Sequence, residues 1–250
     1  INTILNRHNI FMLFTVTSTK GGSGKTSTVC NVAAVLGTAG YDVLAVDMDP
    51  QASLSRWYRA PDGPDLPSVL NGTHSLTDAV YFDEDFGFDL IPSSRALRTV
   101  ADPSSVDRPV RRLAHEHYDV CLIDTPPAAG RFTTAAVEIA GRALIPIEAS
   151  VAAMDTLADS MEVVRQLGAE VLGILVCRVD RRTSNDISVH PHLKERHGDL
   201  VLDTQIRESV AVRDSNADRI PTVKANPSNN ASRDYHSAAL EIKARLDHAR

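Results

Sequence analysis

The stretch Thr19-Lys20-Gly21-Gly22-Ser23-Gly24-Lys25-Thr26 constrains this chain more than any other. It stands between an apolar run, Met12 to Thr17, that reads as a short buried strand and a helical pattern. Val29, Val32, Ala33 and Leu36 keep helical spacing, and Gly40 is a stop signal. A strand, a glycine-rich turn and a helix start make a phosphate cradle. Gly21, Gly22, Ser23 and Gly24 let backbone N–H groups converge on phosphate oxygens, and the helix N-terminus adds its partial positive charge. In such a cradle Lys25 reaches the β- and γ-phosphates, and the Thr26 hydroxyl faces Mg²⁺. Ser27 is the candidate for the α-phosphate.

The misfit to the ordinary pattern G-x-x-x-x-G-K-[ST] is informative. Thr19 stands where the first glycine belongs, and a second lysine, Lys20, opens Lys-Gly-Gly-x-Gly-Lys-Thr. This string resembles the deviant Walker A box of the ParA/MinD family of ATPases. The resemblance implies that Lys20 acts in trans, on the phosphates of a partner subunit in a nucleotide-sandwich dimer.

Two further strings support it. Val43 to Asp47 reads as a second buried strand ending in Asp47-Met48-Asp49-Pro50-Gln51, with a carboxylate where Mg²⁺ and attacking water need ligands. It resembles the family's D-x-D-P-Q switch, which assigns hydrolysis and water orientation to Asp49. Pro50 also fits a first helical turn, and the two readings are compatible. Val120-Cys121-Leu122-Ile123-Asp124 reads as a Walker B strand, with Asp124 joining Thr26 at the metal. The following Thr125-Pro126-Pro127 resembles the family's second switch. The catalytic set expected is therefore Lys20, Lys25 and Asp49, and the cofactors are ATP and Mg²⁺.

Apolar runs at 143–147 and 171–177, with a helix over 151–168 between them, continue an alternation of strands and helices. The expected fold is α/β: a doubly wound, mostly parallel sheet flanked by helices, with ligands at the strands' carboxyl ends. Phe86 to Pro92 is expected as one more strand, with helices over 93–101 and 104–117 and a closing docking helix from Ala231 to about Ala249. Residues 1–11 have no clear period and are expected as an N-terminal extension, with a single domain over 12–250 and no amino-terminal helix-turn-helix.

No apolar run approaches the roughly 18 residues of a membrane span and no signal-peptide pattern opens the chain, so a cytoplasmic protein is expected. Cys30, Cys121 and Cys177 lie singly in apolar runs and read as small buried hydrophobes. A net charge of −6 argues against a general polyanion-binding surface, so any DNA contact must come from a local patch.

The resemblance further implies a homodimer when ATP is bound, non-specific DNA binding and a ParB-like partner that stimulates hydrolysis. Arg207 and Arg213 are the first DNA candidates, with Arg181, Arg182 and Lys224 behind them. Arg181 and Arg182 also fit a solvated helix start. Arg178, at the end of an apolar strand, is a base-pocket candidate by the same resemblance. The alternatives are a MinD-like or cargo-positioning ATPase acting on another surface, and a metabolic enzyme of the same fold.

Overall fold

The computed structural model describes residues 11–248, so the expected amino-terminal extension lies, Phe11 apart, outside the described residues. In chain order the elements are β1 (Met12–Val16), α1 (Lys25–Thr38), β2 (Val43–Asp47), α2 (Ser53–Trp57), α3 (Leu66–Leu70), β3 (Tyr81–Asp83), β4 (Phe88–Ile91) and α4 (Asp107–His117). They continue with β5 (Val120–Asp124), α5 (Arg131–Ala140), β6 (Arg142–Glu148), α6 (Val151–Gln166), β7 (Glu170–Val179), α7 (Ser184–His197), β8 (Val201–Arg207), α8 (Val210–Asp218), α9 (Thr222–Ala225) and α10 (Asn230–His248).

The strands form one sheet in the order β3-β4-β2-β5-β1-β6-β7-β8. Every pairing is parallel except the β3–β4 hairpin. This is the expected doubly wound α/β fold. The central strands β1, β2 and β5 are buried along their whole length, as continuous apolar runs require. Side chains alternate between faces: Met12, Phe14 and Val16 join α1 and α10 in one core layer, and Leu13 faces α4 and α5 in the other. A third apolar cluster lies where α6 and α7 cover β6 and β7.

Two expectations shift and one helix is added. The strand expected over 86–92 is half of a hairpin, and its partner β3 is hidden in the sequence by the charged turn Asp83-Glu84-Asp85. The helices expected over 93–101 and 104–117 become two 3₁₀ turns, Arg95–Thr99 and Pro103–Val106, followed by α4. Helix α7 was obscured by Pro191 inside it; the Thr183 hydroxyl caps it by accepting from the Asp186 N–H. The closing helix docks as expected, burying Tyr235, Ala238, Ala239, Ile242 and Leu246 on α1 and β8.

Helix α1 sets how the site is built. It lies so close to the β3–β4 turn that a Cβ on Gly37 would stand 1.8 Å from the Gly87 carbonyl oxygen. Midway along, Asn31 accepts from the Val223 N–H and ties α1 to α9. With its far end wedged, α1 presents its first turn to the carboxyl ends of β1, β2 and β5.

Candidate active site

The loop between β1 and α1 is shaped by two glycines in the left-handed region, Gly22 (φ 76°) and Gly24 (φ 97°). Gly24 also packs tightly: a Cβ there would meet Cys177 Sγ at 3.4 Å. No side chain caps α1 and no acidic residue sits in its first turn, so its leading N–H groups stay available to an anion. Thr19, the residue that breaks the ordinary pattern, fastens the loop to α6. Its N–H donates to Ser160 Oγ at 3.0 Å, and its hydroxyl donates to the Thr156 carbonyl at 3.2 Å.

The two lysines of the loop part company. The Lys25 ammonium folds back inside the loop, donating to the carbonyls of Ser18 (3.3 Å) and Lys20 (3.0 Å). Burial lowers its pKa, against the pull of Asp124 and Asp49. The Lys20 ammonium leaves the loop and binds Glu148 Oε2 at 2.8 Å, at the end of β6. Glu148 Oε1 meanwhile holds Arg178 Nη1 at 3.0 Å, and Arg178 Nη2 lies 3.9 Å from Glu208.

Beside Lys25 three carboxylates converge. Asp47 and Asp124 face each other across the β2–β5 pairing, and Asp49 follows two residues on. Asp47 accepts from the N–H groups of Asp49 and Ser55 and from the Ser55 hydroxyl at 2.6 Å. Burial nevertheless pushes its carboxyl up to about 6, the hydrogen bonds opposing. Asp124 moves the same way: burial and then the Asp47 charge raise it, while Thr26 and Lys25 pull it down. Asp124 Oδ2 accepts from the Thr26 hydroxyl at 2.8 Å, and Oδ1 is buried with no hydrogen-bond partner. Asp49 Oδ1 accepts from the Gln51 N–H at 2.8 Å and fixes the switch turn.

A cavity of about 440 Å³ opens beside them, floored by Gly22, Gly24, Lys25, Thr26 and Ser27 and walled by Asp49 and Thr125, with Asp47 and Asp124 fully buried behind its lining. Ser23, expected in the cradle, is not among the lining residues; its hydroxyl is buried without a hydrogen-bond partner. Lys20 is outside the cavity lining.

The residues fit a magnesium nucleotide. A free buried oxygen on Asp124, a hydroxyl in contact with that carboxylate, and three carboxylates against one ammonium make a place for a small cation. Mg²⁺ takes only one or two carboxylates and keeps water and phosphate oxygens as its other ligands, which suits this sparse donor set.

The cation assignments change more. Arg207 was expected to grip DNA. Its guanidinium forks onto Asp234 (2.6 and 2.8 Å), its N–H donates to the same carboxylate, and it forms a wall of the cavity. Lys224 lies at the opposite end of the molecule, its ammonium beside Gly87, about 20 Å of helix α1 from the loop. Arg182 is taken up by Asp180 at 2.7 Å. Of these five, only Arg181 and Arg213 are exposed without an acidic partner among the described residues, and Arg213 also borders the cavity, so the five do not form one face. Arg178, expected near the base, stands at the phosphate end: its Nη1 is 4.0 Å from where a Gly22 Cβ would be. Sequence reasoning missed Glu148, whose only signal is an acidic residue at the end of an apolar strand.

With this geometry in view, comparison with known proteins is decisive. The profile of the AAA domain family matches residues 12–174, which hold both Walker elements and the switch. The chain belongs to that family, as a ParA-type ATPase. This ParA-type chain is 29% identical over 238 residues to the chromosome-partitioning ATPase Soj of Thermus thermophilus, covering 92% of this chain and 94% of Soj. It superposes on the cell division ATPase MinD of Pyrococcus furiosus with a TM-score of 0.84 at 26% identity, over 94% of this chain and 99% of MinD. MinD of Pyrococcus horikoshii, a complex with Mg-ADP, gives 0.82 at 27% identity over 92% and 95% of the two chains.

Proposed function

We propose that this ParA-type chain is a Mg²⁺-dependent ATPase that dimerises with ATP between its subunits, binds DNA non-specifically as the dimer, and is stimulated by a ParB-like partner. The observation that supports this most is the division of labour in one loop: Lys25 serves the cradle from inside, while Lys20 is held outside it on Glu148. A lysine unneeded in cis, on a flexible stem, suits a neighbour's phosphate.

In this reading the loop N–H groups and Lys25 bind and orient the triphosphate. Thr26 and Asp124 would hold the metal, which would offset the charge of the phosphates. Asp49, fixed by its turn, orients the attacking water. Arg213 and Arg181 then carry the DNA contacts, which rest on phosphate and fall steeply with salt.

A second reading has one observation in its favour. The scattering of the expected DNA cations suits a positioning ATPase that works on a protein or other surface. No helix among the described residues is long and apolar enough to cross a membrane, and the apolar face of α10 is spent on packing.

The experiment pairs two variants. Lys25→Ala should weaken ATP binding on the order of 100-fold, since two or more charge-assisted bonds to phosphate disappear. Asp49→Ala should keep ATP affinity and lose turnover, trapping the bound dimer. Unchanged titration calorimetry in the first variant, or wild-type hydrolysis in the second, contradicts the assignment. Arg181→Glu/Arg213→Glu losing ATP-dependent DNA retardation separates the DNA reading from the second one.

A further inference from the structure

Behind the first switch lies a separate cavity of about 380 Å³, on the far side of α2 from the phosphate loop. Arg56, Arg59 and Arg219 all border it, and Arg56 and Arg219 also border an adjoining cavity of about 350 Å³ that reaches Ser27 and Trp57. Two of the three guanidinium groups are positioned by backbone rather than neutralised. Arg56 donates to the Gln51 carbonyl, and Arg59 donates to the Asp218 carbonyl at 2.5 Å. None of the three forms an ion pair among the described residues. Arg59 and Arg219 both adopt left-handed backbone (φ 56° and 57°), an uncommon state for side chains of this size.

An independent observation comes from the wall of the same cavity. Ser93, just past β4, lines it and is 6% exposed, and its hydroxyl is buried with no hydrogen-bond partner. Such a group is costly to leave unmatched. Two carboxylates also border the cavity. Asp65 is engaged in capping α3, and Asp62 is exposed.

We propose that this cavity is a second anion site, built for a phosphate group and distinct from the nucleotide cradle. Planar guanidinium forks match phosphate oxygens, and the Ser93 hydroxyl supplies a neutral donor at the buried end. The site reaches the switch through one residue. The Ser93 N–H donates to Ser55 Oγ at 2.7 Å, and that hydroxyl donates to buried Asp47. The assignment rests on these side chains alone, so it stands or falls separately from the proposed function.

The phosphate can belong to a small phosphorylated ligand or to a nucleic-acid backbone. The test separates them. Trp57, the chain's one tryptophan, lines the adjoining cavity and reports on it by fluorescence. The full chain, saturated with ADP, is titrated with inorganic pyrophosphate and, separately, with a random-sequence DNA duplex. A saturable change in Trp57 emission is expected with at least one of them. Arg56→Gln/Arg219→Gln should weaken it at least tenfold, since two charge-assisted bonds are lost. Ser93→Ala should weaken it several-fold with an unchanged thermal midpoint, because that hydroxyl bonds nothing in the fold. Response to pyrophosphate assigns a small ligand; response to duplex alone assigns a backbone. No saturable response to either, or equal affinity in wild type and both variants, overturns the site.

Discussion

The Lys20 ammonium and Arg178 guanidinium share one carboxylate, that of Glu148, at 2.8 and 3.0 Å on its two oxygens. The lysine assigned to a partner's phosphate is thus held in its own subunit, and the restraint is one acidic side chain. At partial exposure such a pair contributes only about 0.2–1 kcal/mol, which an incoming phosphate can outcompete.

Glu148→Gln should therefore free Lys20 and strengthen the ATP-dependent dimer, by a factor of up to about thirty if the pair energy of both subunits is recovered. Sedimentation with a slowly hydrolysed ATP analogue measures it. A weaker dimer would mean that Glu148 aims Lys20 rather than restraining it.

The buried carboxylates make stability pH-dependent in a definite direction. The folded state holds Asp47 at about 6, above the ordinary carboxylate value, so it binds the proton more tightly than the unfolded chain. The stability this group contributes is complete below about pH 4 and is lost as pH rises through about 6, a cost on the order of 3 kcal/mol. Asp124 acts in the same sense. Asp47→Asn should gain stability relative to wild type between pH 4.5 and 7.5, as read by urea unfolding without nucleotide. Parallel pH profiles for the two proteins would contradict the strained carboxylate.

Gly37 tests the wedge that fixes α1. Glycine to alanine within a helix ordinarily gains about 1 kcal/mol from propensity. Here the new Cβ meets the Gly87 carbonyl at 1.8 Å, a backbone atom that cannot step aside alone. Overpacking of this kind costs about 1–3 kcal/mol or more, so the steric term wins. Gly37→Ala should lower the urea midpoint, and a raised midpoint would show that α1 slides freely on the hairpin.

Much of this was legible in the residues. The cradle, the central strands and the Thr26–Asp124 contact follow from glycine spacing and apolar runs, because those parts are fixed by local backbone geometry and two-sided burial. What escaped depends on distant partners. Arg207 looks like any free cation until Asp234 arrives from α10, and Glu148 has no motif at all. Strand β3, three residues beside an acidic turn, carries too few apolar side chains to show.

The most direct test is the dimer itself in Lys20 variants. Lys20→Ala and Lys20→Gln leave Lys25 and the cradle in place, and the glutamine keeps length while losing charge. Sedimentation of wild type and both variants with a slowly hydrolysed ATP analogue should give a dimer only for wild type, with monomer ATP affinity largely kept in all three. Dimers of equal stability in all three proteins would contradict a lysine acting in trans and reduce Lys20 to a residue that serves its own loop.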